Sequence, residues 1–355
     1  MEKLIITMPI APYDDFSVGK LVAPVLGEML AKKLDADFIM SVNLLDSYKQ
    51  RNIAGFIELL KKYDINPSKY WVDSQNVNEL LRKIELLVDN GYIYSVTKEI
   101  LICHCGKVDI SKDNLETINM QDSLFYKKEE KYYCKKCNNE CHLKKENVLV
   151  FDSKSAPKDN LLFYPNFINN DIKTFIKTVG SNEMIISRNR NTGIQFDYNN
   201  RVYNLDIDFL WGVYLSLFEG YEKIVLCSNH QLYQLFVVGM LEKCFNYNSK
   251  TILLATPHLN VINQEDAKQL EERILSLKLF TIFNQKWSKK ENVFNLSLLK
   301  YLNSMNVQKK QQLYDLIMSS NINDSELYTI LHTALNTDFN FQKATEKLKR
   351  VRKNV

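Results

Sequence analysis

Two short, largely β-branched apolar runs lie near the start of the chain, at residues 4–8 and 38–42. Between them Val22, Val25, Leu26, Met29 and Leu30 recur at helical spacing within residues 18–33. Continuous apolar runs suit buried strands, and recurrence at i, i+3 and i+4 suits one face of a helix. A strand, a helix and a second strand in this order make a βαβ unit, so a parallel sheet is expected. Amphipathic helices are predicted over 52–63 and 76–89, the second stopped by Asn90-Gly91. Residues 103–145 then break the periodicity and read as an inserted small module.

Beyond the insert, strands are predicted over 184–186, 202–209, 224–226 and 251–254, with helices over 210–218 and 231–244. From Gln264 onward the pattern is almost all helical and ends in a basic tail over 343–353. The expected division is a first half of an α/β core over 1–102, the insert over 103–145, the second half of the core over 146–263, and a helical region over 264–355.

Composition narrows the function classes. Of 355 residues, 45% are hydrophobic and 25% charged, which places the chain among ordered globular proteins rather than disordered ones. The 46 basic and 42 acidic residues leave a net charge of +4, too mild to announce nucleic-acid binding, so any RNA contact has to come from local patches. The first residues lack the basic start and apolar block of a signal peptide. No apolar run approaches the roughly 20 residues of a membrane helix. The expectation is a cytoplasmic protein with no membrane and no DNA partner.

Five of the seven cysteines lie between Cys103 and Cys141, whereas Cys227 and Cys244 stand in apolar surroundings and read as reduced core residues. A clustered, odd set without a secretory signal argues against disulfides and for a metal. Cys103 and Cys105 form a C-x-C pair, and Cys134 and Cys137 a C-x-x-C pair. Two short-spaced thiolate pairs supply the tetrahedral sulfur set of structural zinc. The C-x-C spacing is the less usual, so Cys141 or His142 stands as an alternative ligand. A site closed by four ligands would hold the fold together and do no chemistry. The lysines around it are either a solvated surface or an RNA contact.

In order along the chain, several stretches resemble a class I aminoacyl-tRNA synthetase core of the methionyl type. A first strand leads into Pro12-Tyr13-Asp14-Asp15-Phe16-Ser17-Val18-Gly19-Lys20, at the place of the family's His-x-Gly-His signature. Asn90-Gly91-Tyr92-Ile93-Tyr94 leads into the cysteine insert, as in the family's zinc knuckles. Ile186-Ser187-Arg188 and Gly193-Ile194 resemble the block that follows the insert, and residues 202–216 resemble the segment carrying the Trp-x-Asp signature. The helix over 231–242 resembles the one after the family's Gly-Lys-Asp segment. The resemblance covers roughly residues 1–260 and implies a Rossmann-like parallel-sheet core, a zinc ribbon and a C-terminal helical domain of the anticodon-reading kind.

That resemblance also implies roles, and the departures qualify them. Ser17 and Lys20 replace the two histidines that contact ATP phosphates in the family, and Gly19 is kept. Where the family has its Lys-Met-Ser-Lys-Ser loop, the chain has Ala255-Thr256-Pro257-His258-Leu259-Asn260-Val261, and Cys227-Ser228-Asn229 stands for Gly-Lys-Asp. Adenylate formation relies on positive charge and donors at the phosphates. Ser17, Gly19, Lys20 and His230 are the nucleotide-binding candidates, with Lys20 restoring a positive charge. Alternation over residues 204–209 sets Asn204, Asp206 and Asp208 against Leu205, Ile207 and Phe209, and a polar face there suggests a cavity edge. Pro12, Tyr13, Asp206, Asp208 and Arg188 are the substrate-binding candidates, and Lys20 and Asp208 the catalytic ones. Trp211, Tyr214 and Phe218 read as helix core.

Three functions follow from the resemblance. The chain is a diverged ligase that uses ATP to activate or transfer an aminoacyl group, a catalytically degenerate module that binds tRNA or a partner, or an ATP-independent user of aminoacyl-tRNA. Expected cofactors are structural zinc and, in the first case, ATP. Expected partners are tRNA or aminoacyl-tRNA and an amino acid or amine.

Overall fold

The computed structural model describes residues 2–45, 52–105, 125–156, 162–164, 183–187, 194–228, 232–245, 251–256, 270–271, 273–283 and 296–319. Its first strands and helices are β1 (Lys3–Thr7), α1 (Val18–Leu34), β2 (Asp37–Val42), α2 (Ile53–Lys62), β3 (Lys69–Val72) and α3 (Val77–Asp89). Then come β4 (Ile93–Ile102), β5 (Phe125–Lys128), β6 (Lys131–Cys134), β7 (His142–Asp152), β8 (Leu162–Tyr164), β9 (Glu183–Ile185), β10 (Ile194–Tyr198) and β11 (Arg201–Leu205). The described chain continues through α4 (Ile207–Tyr214), β12 (Glu222–Ser228), α5 (Leu232–Cys244) and β13 (Thr251–Thr256) to α6 (Ile274–Phe283), α7 (Leu296–Ser304) and α8 (Val307–Ser319).

Six strands form one sheet in the order β3-β2-β1-β12-β13-β8, and every neighbouring pair is parallel. Successive side chains of a strand point to opposite faces. Leu4, Ile6, Val225 and Leu253 enter one apolar layer, while Ile5, Ile224, Leu226, Ile252 and Leu254 enter the other. Strands covered on both faces are mostly apolar on both, which is why they appear in the sequence as near-continuous runs. Helices α1 and α2 pack in the second layer with α6, α7 and α8; α3, α4 and α5 pack in the first. Gly27 lets α1 approach the sheet closely, since a Cβ there would lie 2.4 Å from the Phe38 ring. Gly91, at φ 76°, closes α3 in the left-handed conformation, as the Asn90-Gly91 pair predicted.

Polar contacts join the C-terminal helices to this layer. Lys278 meets Asp64 at 2.6 Å, Lys62 meets Glu271 at 3.2 Å, and Lys33 donates to the carbonyl of Ile317. No helix among the described residues is long and apolar enough to cross a membrane.

The remaining strands stand apart from the parallel sheet. β4, β7 and β9 form an antiparallel sheet, with β4 and β7 in register from Ile93 opposite Phe151 to Ile102 opposite His142. β5 and β6 form a hairpin, as do β10 and β11. The strand expected over 202–209 is corrected here. It ends at Leu205, pairs among the described residues with β10 and the isolated bridge residue Ser187, and lies outside the parallel sheet. Asp206 sits at φ −70°, ψ 123°, and its carboxylate accepts the Asp208 N–H, so it caps α4 rather than continuing a strand. An acidic side chain at the N-cap satisfies an orphan N–H of a first helical turn. The apolar run after it favours the helix because that helix packs between α3 and α5. The alternating polar and apolar faces expected over 204–209 therefore do not form.

Candidate functional site

The strand order reverses between β1 and β12. The connection leaving β1 passes through α1 on one face of the sheet, and α5, which follows β12, packs on the other. Crevices outside the carboxyl ends of such a pair are where open α/β sheets bind ligands. The β1–α1 connection enters this crevice held on both sides. Met8 N–H bonds to Leu226 at 2.8 Å, Ile10 N–H to Ser41 at 2.8 Å, and Asn43 N–H to Ile10 at 2.8 Å.

Five candidate residues lie on this connection. Pro12 and Tyr13 are buried, and the Tyr13 ring rests on Phe56 with centroids 5.0 Å apart. The Tyr13 hydroxyl is buried with no hydrogen-bond partner among the described residues, and burial pushes its pKa far up. Ser17 is the N-cap residue of α1, with φ −147°, and its hydroxyl makes no capping bond. Gly19 follows in the first turn, half-buried. Lys20 is exposed, with its ammonium 4.6 Å from the Tyr13 ring centroid. No acid stands in the first turn of α1, so its N–H groups and Lys20 present one sign of charge.

Asp206 and Asp208 belong to the other face. Asp206 is buried at the start of α4, where its own N–H bonds to the Ile186 carbonyl at 2.7 Å, and Asp208 is half-buried two residues later. The structure thus brings Pro12, Tyr13, Ser17, Gly19 and Lys20 together and sets the two aspartates on a separate element. Arg188 and His230 lie outside the described residues, as do Arg190, Gly193 and His258.

One buried acid at the carboxyl end of β3 was not singled out from the sequence. Asp73, directly after β3, accepts the N–H groups of Leu44 at 2.7 Å, Leu45 at 3.2 Å and Ser74 at 2.7 Å, and the Trp211 indole N–H at 3.3 Å. Burial raises its pKa, against the pull of those four donors. Nearby, the Tyr214 hydroxyl donates to the Thr7 carbonyl at 3.0 Å and touches the Ser41 hydroxyl. These bonds fasten α4 to the carboxyl ends of β1, β2 and β3. Trp211, Tyr214 and Phe218 are buried, as expected of helix core. An acid following the strand Trp71-Val72 was visible in the sequence, but its tryptophan partner 138 residues away was not.

The cysteines gather at the far end of the β4–β7 ladder. The sulfurs of Cys103, Cys105, Cys134 and Cys137 all lie within 4.8 Å of one another, with Cys103 to Cys137 at 3.2 Å and Cys105 to Cys134 at 3.6 Å. Zinc–thiolate bonds of about 2.3 Å in a tetrahedron set sulfurs about 3.8 Å apart, so the four fit such an ion. The hairpin β5–β6 delivers Cys134, opposite Phe125, and Asn138 takes φ 55° to turn the C-x-x-C loop back. The Asn139 N–H and the Cys103 thiol hold Cys137 below the usual thiol range, while burial pushes Cys103 up. Both pairs named from the sequence therefore meet, and His142 is instead the exposed first residue of β7. When bound, zinc would cross-link the loops around these four thiolates.

No known protein-family profile matches the sequence, and no curated protein is detectably similar to it. Solved structures are similar. The methionyl-tRNA synthetase of Mycobacterium tuberculosis, bound by methionyl-adenylate, superimposes with a TM-score of 0.62 at 11% identity, over 99% of this chain and 84% of that one. This is a class I synthetase-like fold. A second methionyl-adenylate complex of that enzyme gives a TM-score of 0.62 at 10% identity over 99% and 80% of the two chains. Its apo form gives 0.61 at 11% identity over 98% and 80%. At these identities the agreement is one of fold.

Proposed function

We propose that this chain is a diverged class I synthetase-like protein that binds a nucleotide at the β1/β12 crevice and activates or transfers an aminoacyl group. The observation that carries this reading is the start of α1. A helix N-terminus with no acid in its first turn, a small residue at position 19 and an exposed lysine at position 20 together suit a phosphate. In this reading Ser17 and the N–H groups around Gly19 receive phosphate oxygens, and the Lys20 ammonium swings from the Tyr13 ring onto the developing negative charge. Pro12 and Tyr13 shape the acyl side of the crevice, and the unpartnered Tyr13 hydroxyl donates to a polar substrate atom. Asp208 holds the amino group, with Asp206 placing it by capping α4. Activation would join the amino-acid carboxylate to the α-phosphate and release pyrophosphate. Arg188 and His230 are assigned to the substrate carboxylate and the adenosine. The exposed Lys135 and Lys136 beside the metal centre contact the phosphates of tRNA.

A second reading rests on the same lysine. Its ammonium stands over an aromatic ring, and both histidines of the family's signature are replaced, which favours a protein that binds tRNA or aminoacyl-tRNA without using ATP. ATP–pyrophosphate exchange with pooled amino acids, with and without total tRNA, separates the two. Exchange that falls at least tenfold in Lys20→Ala supports activation at this crevice. No exchange under any condition, with charged tRNA retained on the protein, establishes the second reading and ends the first.

A further inference from the structure

Five cysteines converge on the metal centre, one more than a tetrahedral ion uses. The β4–β7 ladder closes with Ile102 opposite His142, so the next residues outward, Cys103 and Cys141, leave it facing each other. Directly opposed residues of antiparallel strands have Cβ atoms about 4.5–5.5 Å apart. Cys141 is 9% exposed and packs in the same apolar nest as Cys103, Cys134, Leu101 and Phe125, whereas Cys105 and Cys137 lie at its rim. Its N–H is held by the Tyr132 carbonyl at 2.8 Å, and its thiol reaches the Asn139 carbonyl at 3.7 Å.

The five sulfurs are not held equally. Cys134 is fixed by backbone bonds on both sides of its loop, from Asn138 at 2.8 Å and to Asn139 at 3.0 Å. Cys103 is fully buried at the end of the ladder. Cys105 is half-exposed, two residues beyond Cys103 and past the last ladder pair. Zinc has no ligand-field preference among geometrically similar thiolate sets, so a buried fifth thiol of the same nest can exchange with a ligand at its rim.

We propose that Cys141 is an exchangeable metal ligand that takes the place of Cys105. The centre then holds zinc through either of two sets of four thiolates that share Cys103, Cys134 and Cys137. This inference rests on the four-thiolate centre and is independent of ATP or tRNA use. Whichever of Cys105 and Cys141 is off the metal is a free thiol, while the ion stays in place.

Zinc content, cobalt substitution and alkylation of the full-length protein test the exchange. Cys105→Ala and Cys141→Ala each retain about one equivalent of zinc, and their cobalt forms keep the thiolate-to-metal charge-transfer bands. The double variant and Cys134→Ala lose at least tenfold in metal affinity. A brief pulse of iodoacetamide on the zinc-loaded parent labels one cluster thiol per chain, divided between Cys105 and Cys141 and never on both. The proposal is overturned if Cys105→Ala loses metal as completely as Cys134→Ala while remaining folded. Should that variant not fold, the alkylation map decides, because label confined to Cys141 makes it a bystander thiol. A parent chain that binds no zinc also overturns it.

Discussion

Lys223 and Glu242 form an ion pair deep in the structure, and breaking it is the sharpest test of how the sheet is held together. Lys223 stands near the amino end of β12 with 0% exposure, and Glu242, on the last turn of α5, is 5% exposed. Their ammonium nitrogen and carboxylate oxygen meet at 2.6 Å but outside hydrogen-bonding alignment, so the attraction is essentially Coulombic. At an effective dielectric constant of about 20, unit charges at that distance attract by about 6 kcal/mol. Desolvating both ions offsets most of this, so the pair adds little beyond what an apolar pair would. Lys223→Met is different, because it leaves a carboxylate buried without its cation and costs about 3–5 kcal/mol. With an unfolding entropy near 0.7 kcal/mol/K for a chain of this length, the Tm falls by about 4–7 °C. Replacing both residues, as Lys223→Met with Glu242→Leu, restores most of the loss, and urea titrations of the four proteins give a coupling of about 2 kcal/mol or more. A single-variant loss below about 1 kcal/mol, or strictly additive losses, would refute the claim that the two charges are buried together.

Other perturbations probe the remaining elements. Asp73→Asn puts amide hydrogens among the Leu44, Leu45, Ser74 and Trp211 N–H donors, and a loss of about 2–3 kcal/mol is expected in denaturant titration. Wild-type stability there would mean those bonds are not made. Gly27→Ala drives a methyl into the buried Phe38 ring. The strain of about 1–3 kcal/mol exceeds the helix-propensity gain of about 1 kcal/mol, so net destabilisation is expected, and a stabilised variant would contradict the close packing of α1 on β2. Glu183 is held below its ordinary value first by Lys98 and then by the Tyr94 hydroxyl. A depressed carboxylate contributes stability that is present above its unfolded value of 4.5 and lost as pH falls through the folded one. Because the site is partly exposed the effect is small, about 0.5 kcal/mol. Glu183→Gln should flatten the acid limb of the stability profile by that amount, and an unchanged limb would remove the triad from the account.

Much of the architecture was legible in the order of residues because it depends on local periodicity. The runs at β1, β2, β12 and β13 are mostly apolar on both faces, since strands covered on both sides leave little room for polar alternation. The helices α1, α2 and α3 carry their apolar spacing within their own length, and Asn90-Gly91 marks the stop of α3. The two cysteine pairs announced a metal set by residue type and spacing alone. Residues 204–209 show where this logic fails. Both a strand and a capped helix satisfy Asn204-Leu205-Asp206-Ile207-Asp208-Phe209, and the choice fell to the packing of α4 between α3 and α5.

The tertiary structure decided everything that depends on distance across the chain. Lys20 was a lone first-turn lysine until folding set Tyr13 beneath it. Asp73 acquired its roles from loops after β2 and from Trp211, and Cys141 acquired its place beside Cys103 from the register of β4 on β7. Periodicity reports which face of an element is buried because that information is contained in a few neighbouring residues. Which partners share a site is fixed by sheet order and ladder register, and these minimise the free energy of the whole chain rather than of any segment within it.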